Sequence, residues 1–139
     1  MDIHQPTTVR LYSPKQIGVA AFVGSPVAAG WFFWCNEQTL GRPGTGARWF
    51  WWMLVVTVAV VALSFVLPAK FPPFIIPLAY TLALRNTAKN LYEAPFAGFL
   101  AQGGVQGSWW NVMGIGFLAL FMVLALVFGV VLLLPTRSE

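Results

Sequence analysis

Charge is what this chain has least of. Charged residues make up 9% of its 139 positions, against about a quarter in ordinary soluble domains. Hydrophobic residues make up 58%, so polar groups could not cover the folded surface in water. Lipid is expected to be part of the solvent. Histidine and cysteine occur once each, as His4 and Cys35. That pair cannot complete a four-ligand zinc site, and a lone thiol cannot close an internal disulfide. Cys35 ends an apolar stretch and reads as a small hydrophobe in a packed interface. The acids are Asp2, Glu37, Glu93 and Glu139, spread over termini and connections with no shared spacing. Neither a carboxylate pair nor a Ser-His-Asp set can be drawn from them. No enzyme activity is expected, and no catalytic, cofactor-binding or metal-binding residue is assigned. Gly41, Gly44 and Gly46 are interrupted by Arg-Pro and Thr and lack the Lys of a phosphate loop, which leaves turn chemistry.

The net charge of +4 comes from basic residues scattered singly along polar connections, without the stripe that nucleic acid requires. Nucleic acid is therefore not an expected partner. Contact with anionic headgroups and the positive-inside bias account for these residues more simply.

What the chain does have is long uncharged apolar runs. Three of them, 17–35, 49–67 and 112–134, approach the length of about 20 residues that crosses a hydrocarbon core of about 30 Å. Only a helix satisfies its own backbone there. A cleaved signal peptide fits the first run poorly, because the apolar stretch continues through Trp31-Phe32-Phe33-Trp34 where a mature chain would turn polar. Aromatic clusters at 31–34 and 49–52 flank a Gly- and Pro-containing connection, so both belong to one membrane interface. Trp109 and Trp110 open the last run. The segment 72–91 is shorter in its apolar part and carries Pro72, Pro73 and Pro77. Thr81, Arg85, Asn86, Lys89 and Asn90 then share one helical face, the pattern of an amphipathic helix lying at the interface.

The expected fold is a single all-α membrane domain, 1–139, with three transmembrane helices and an interfacial or re-entrant helix. A fourth, tilted span over 72–91 is the alternative. Three spans with a cytoplasmic N-terminus place Arg10, Lys15, Lys70, Arg85 and Lys89 inside and Arg42, Arg48 and Arg137 outside, whereas four spans divide the cations evenly.

Two features of the first run carry the functional expectation. Ala20, Gly24 and Ala28 recur at four-residue spacing beside Ala21, Ser25 and Ala29, a face that lets helices approach closely, either within the chain or on a partner. Gly24-Ser25-Pro26 interrupts the helix, as a structural kink or, in the transporter reading, as part of an ion path. No carboxylate, Lys, Arg or His lies within the three runs to support the second reading. Ser13 followed by Pro14 predicts the first helix start. Arg85 and Lys89, one turn apart, are the candidate lipid headgroup contacts.

The residues Leu11-Tyr12-Ser13-Pro14-Lys15-Gln16-Ile17 with Gly24-Ser25-Pro26 resemble the start of a family of small, mostly uncharacterised bacterial inner-membrane proteins. The resemblance continues through Leu67-Pro68, Phe71-Pro72, Ile76-Pro77-Leu78-Ala79-Tyr80, Trp109-Trp110-Asn111-Val112 and Gly114-Ile115-Gly116, in the same order. It implies a multi-pass protein of the bacterial inner membrane and no assigned activity. The expected function is binding of another membrane protein or of lipid, as an accessory subunit or an immunity-type protein. An oligomeric transporter or channel component is the alternative, so a protein partner or a homo-oligomer is expected besides membrane lipid.

Overall fold

A computed structural model describes residues 10–134. Among them are five helices and one pair of two-residue strands, in the order β1 (Arg10–Leu11), α1 (Pro14–Gly24), α2 (Pro26–Thr39), α3 (Pro43–Val66), α4 (Ile75–Ala101), β2 (Val105–Gln106) and α5 (Trp109–Leu133). The strands pair in parallel, Arg10 with Val105 and Leu11 with Gln106.

The first helix starts where a reciprocal cap allows it. Ser13 Oγ accepts from the Gln16 N–H at 3.2 Å, and Gln16 Oε1 accepts from the Ser13 N–H at 2.9 Å. Pro14 stands at the first helical position, where its missing N–H costs nothing. The helix stops at Gly24 because Pro26 has no N–H to offer the carbonyl four residues back. Ser25 then takes φ 79° and ψ 171°, a region that residues other than glycine rarely occupy. This is a reversal, not a kink.

The return is read from the ends of the two helices. Asn36, near the end of α2, brackets the backbone just before α1. Its Oδ1 accepts from the Tyr12 N–H at 2.8 Å, and its Nδ2 donates to the Tyr12 carbonyl at 2.9 Å. The Tyr12 and Phe32 rings lie 4.5 Å apart. The expected single span over 17–35 is therefore corrected: the run is split between two antiparallel helices. With 11 and 14 residues at 1.5 Å each, they reach only about 15–20 Å. The apolar content of the run is what a span needs, but Ser25-Pro26 divides it into halves that each go partway.

This hairpin is the core around which the three long helices stand. α2 packs on α3, while α1 packs on α4 and on α5, and the long helices hardly touch one another. Gly30 admits Met53 of α3, and Gly24 lies against Gly116 of α5. α3, α4 and α5 have 24, 27 and 25 residues, lengths of about 36 to 40 Å. α4 extends well beyond the expected 72–91 and passes through Pro95.

Gly44–Val66 and Trp109–Leu133 are long and apolar enough to cross a membrane. A buried helix of a soluble protein passes the same length test, but only 11% of each apolar stretch is covered by the rest of this chain. Their bare faces suit lipid.

The start of α1, the end of α2, the start of α3, the end of α4 and the start of α5 meet at one end of the molecule. All seven tryptophans belong to segments gathered there. Phe33 stacks on Trp49 at 5.0 Å, and Trp31 and Trp34 both pack on Phe50, at 6.4 and 5.4 Å. The segments 31–34 and 49–52 thus lie at the same end as Trp109 and Trp110, which the three-span arrangement placed on the other side.

Candidate functional site

The residues expected to form a packing or partner face are turned inward. Ala20, Ala21, Ala28 and Ala29 are fully buried. A Cβ added at Gly24 would sit on the Gly116 carbonyl oxygen and 2.7 Å from its Cα. This close approach joins α1 to α5 within the chain and leaves no surface for an outside partner. Ser25 Oγ, at the hairpin tip, is shielded and has no hydrogen-bond partner among the described residues.

Beneath the tip, in the half of the molecule away from the tryptophans, the long helices diverge around a cavity of about 530 Å³. Phe22, Val23, Ser25 and Pro26 of the hairpin form its roof, with Thr57 and Ser64 of α3, Pro77 and Tyr80 of α4, and Val123 of α5 on its sides. The hydroxyls there are partly committed to backbone. Thr57 Oγ1 accepts from the Val27 N–H at 3.0 Å and donates to the Met53 carbonyl at 2.9 Å, and Ser64 Oγ donates to the Val60 carbonyl. Thr57 therefore supplies the acceptor that the Val27 N–H lacks at the start of α2.

A buried polar cluster ties the tryptophan end together. Glu37, expected in a connecting loop, is instead in the last turn of α2 and 1% exposed. Its Oε1 accepts from the Tyr92 hydroxyl at 2.7 Å and from Arg42 Nη2 at 3.2 Å. Arg42 Nε lies 2.9 Å from Oε2, close enough for an ion pair although not aligned as a hydrogen bond. With Arg42 and Tyr92 both engaged, the carboxylate is a clamp between α2 and α4. Gln16, fully buried, adds a second tie by donating from Nε2 to the Gly107 carbonyl at 2.6 Å.

Replacing Gln16 with Leu leaves the Ser13 N–H and the Gly107 carbonyl without these partners. We expect a loss of about 2 kcal/mol, measured by unfolding in mixed micelles. Gln102→Leu on the exposed turn after α4 should change stability by under about 0.5 kcal/mol.

Arg85 and Lys89 are both exposed on α4. Gly18 of α1 lies under Arg85, 3.2 Å separating the Arg85 Cβ from where a glycine Cβ would be. The inward face of the same helix holds Leu84, Ala88 and Tyr92. Asp2, His4 and Glu139 lie outside the described residues. Among the described residues no group of three His, Cys, Asp or Glu is placed to hold a metal ion.

Sequence reasoning missed Gln16, Asn36, Glu37 and Tyr92. The spacing Ser13-x-x-Gln16 is a visible capping signature. Nothing local pairs Glu37 with Tyr92 across 55 positions. No protein-family model, curated protein or solved structure matches the chain.

Proposed function

We propose that this chain is a non-enzymatic membrane subunit that binds a second membrane protein through the bare faces of α3 and α5. One observation carries the reading: both helices are long and apolar, and the chain itself covers only 11% of each apolar stretch. The hairpin consumes the packing capacity of the tryptophan end, and the other halves of these helices remain open for a neighbour. An accessory subunit or an immunity-type protein would use such a surface. The resemblance to small bacterial inner-membrane proteins supports the bacterial inner membrane as its location.

Charge supports an orientation. Arg10, Lys15, Arg42, Arg48, Arg85 and Lys89 belong to the tryptophan half, and among the described cations only Lys70 belongs to the other. By the positive-inside rule the tryptophan end and the N-terminus are cytoplasmic. α4 then crosses the membrane as a third full-length helix, its apolar half in the core and its cationic half nearing the cytoplasmic surface.

The test is purification from the native membrane in mild detergent, followed by native mass spectrometry. A stoichiometric second protein is expected, and Gly129→Leu should release it. A Cβ at Gly129 meets nothing within 4 Å in the chain's own fold, so that variant probes the outer face alone. A chain that purifies without any partner contradicts the reading.

The re-entrant hairpin, reversing near mid-depth, favours a second reading as an oligomeric transporter or channel component. Solute flux into liposomes containing the homo-oligomer, altered by Pro26→Ala, would support it. Silent liposomes would reject it.

A further inference from the structure

The seam between α1 and α4 gathers three cations. Arg85 lies across Gly18, with its Cβ, Cγ and Cδ 3.2, 3.3 and 3.4 Å from the position of a glycine Cβ. The missing side chain lets the aliphatic stem rest on α1 while the residue stays exposed. Lys89 follows one turn later on α4, and Lys15 precedes Gly18 by one turn on α1. Because the two helices run antiparallel, both turns lead toward the tryptophan end and to the same level. Lys15 and Lys89 are also exposed. None of the three cations forms an ion pair among the described residues; Glu93, one turn beyond Lys89, is exposed and forms none with it. Like charges held together repel, so this surface favours an anion.

The same stripe of α1 continues downward. Phe22 lies one turn below Gly18 on the Lys15 side, is 61% exposed, and lines the 530 Å³ cavity beneath the hairpin tip with Pro77 and Tyr80 of α4. Lys15 and Phe22 are about 10 Å apart along the helix axis. A cationic surface at headgroup depth thus stands directly above an apolar hollow at acyl-chain depth, on one seam of two helices.

We propose that this seam binds one anionic phospholipid. Its phosphate is held by Arg85, Lys89 and Lys15 through charge-assisted hydrogen bonds, and one acyl chain passes over Phe22 into the hollow under Ser25. A zwitterionic lipid offers the same phosphate but brings a cation that this cluster repels. The proposal goes beyond the partner reading and is independent of it, since the isolated chain suffices.

The full-length protein in mild detergent is titrated with phosphatidylglycerol or phosphatidylcholine and followed by native mass spectrometry. One phosphatidylglycerol should be retained, on the order of tenfold more tightly than phosphatidylcholine. Arg85→Ala with Lys89→Ala should abolish this preference, and Arg85→Lys with Lys89→Arg should keep it, which separates charge from folding. Val123→Trp, filling the hollow from α5 far from the cations, should weaken retention of phosphatidylglycerol. Equal retention of the two lipids, or an undiminished preference in the double Ala variant, overturns the proposal. Unchanged binding in Val123→Trp, or full displacement of the lipid by millimolar glycerol phosphate, removes the acyl-chain seat and overturns it as stated.

Discussion

Gly24→Ala should destabilise this protein by about 3 kcal/mol, at the upper end of what overpacking by one methyl group costs. The new Cβ would meet the Gly116 carbonyl oxygen and its Cα, at 2.7 Å from the latter, and the Ala28 Cβ at 2.9 Å. Gly116 is backbone in the middle of a regular helix, so no side chain can swing aside. α1 and α5 have to separate, and the hairpin tip moves with them. In lipid the two helices are held by close packing without a hydrophobic drive, which makes that separation costly. Gly114→Ala, two residues before Gly116 on the opposite face of α5 and with nothing within 4 Å of its Cβ position, should be neutral or slightly stabilising through helix propensity. Unfolding of the two variants in mixed micelles provides the comparison. Equal stabilities would remove the α1–α5 contact from the account.

Arg42→Ala is expected to cost nearly as much, about 2–3 kcal/mol. Breaking a buried ion pair by removing one partner costs about 3–5 kcal/mol, and we take less because the Arg42 side chain is 51% exposed. The variant leaves the Glu37 carboxylate, 1% exposed, with the Tyr92 hydroxyl as its remaining side-chain donor. The diagnostic result lies in the double variant. Adding Glu37→Gln to Arg42→Ala removes the uncompensated charge while keeping an acceptor for Tyr92, so it should recover roughly half of the loss. A double variant no more stable than Arg42→Ala alone would mean that an uncompensated buried charge on Glu37 is not what makes the loss of Arg42 costly.

How much of this was legible in the sequence follows from the range of each interaction. The start of α1 was, because Ser13, Pro14 and Gln16 act within one turn. So were α3 and α5, whose length and apolarity are local properties. The run 17–35 misled because hydropathy counts apolar residues without regard to chain direction. Gly24-Ser25-Pro26 signalled a break, but a kink and a reversal have the same local chemistry. What decides between them is Asn36 binding the Tyr12 backbone, a contact 24 residues apart that apolar counting does not register. The small-residue face was visible, yet its opposite surface, Gly116, is known only once α5 is in place. The cation count changed for the same reason. Moving the 40–42 turn to the side of the N-terminus carries Arg42 and Arg48 with it.

The most direct test of the fold places single cysteines in a Cys35→Ser background and labels them with a membrane-impermeant thiol reagent from each side. The re-entrant hairpin predicts that Arg10→Cys, Thr45→Cys and Gln102→Cys are labelled from the same face of the membrane and Lys70→Cys from the opposite face. Labelling of Arg10→Cys and Thr45→Cys from opposite faces would show that 17–35 crosses as one helix, and would contradict the hairpin on which this account rests.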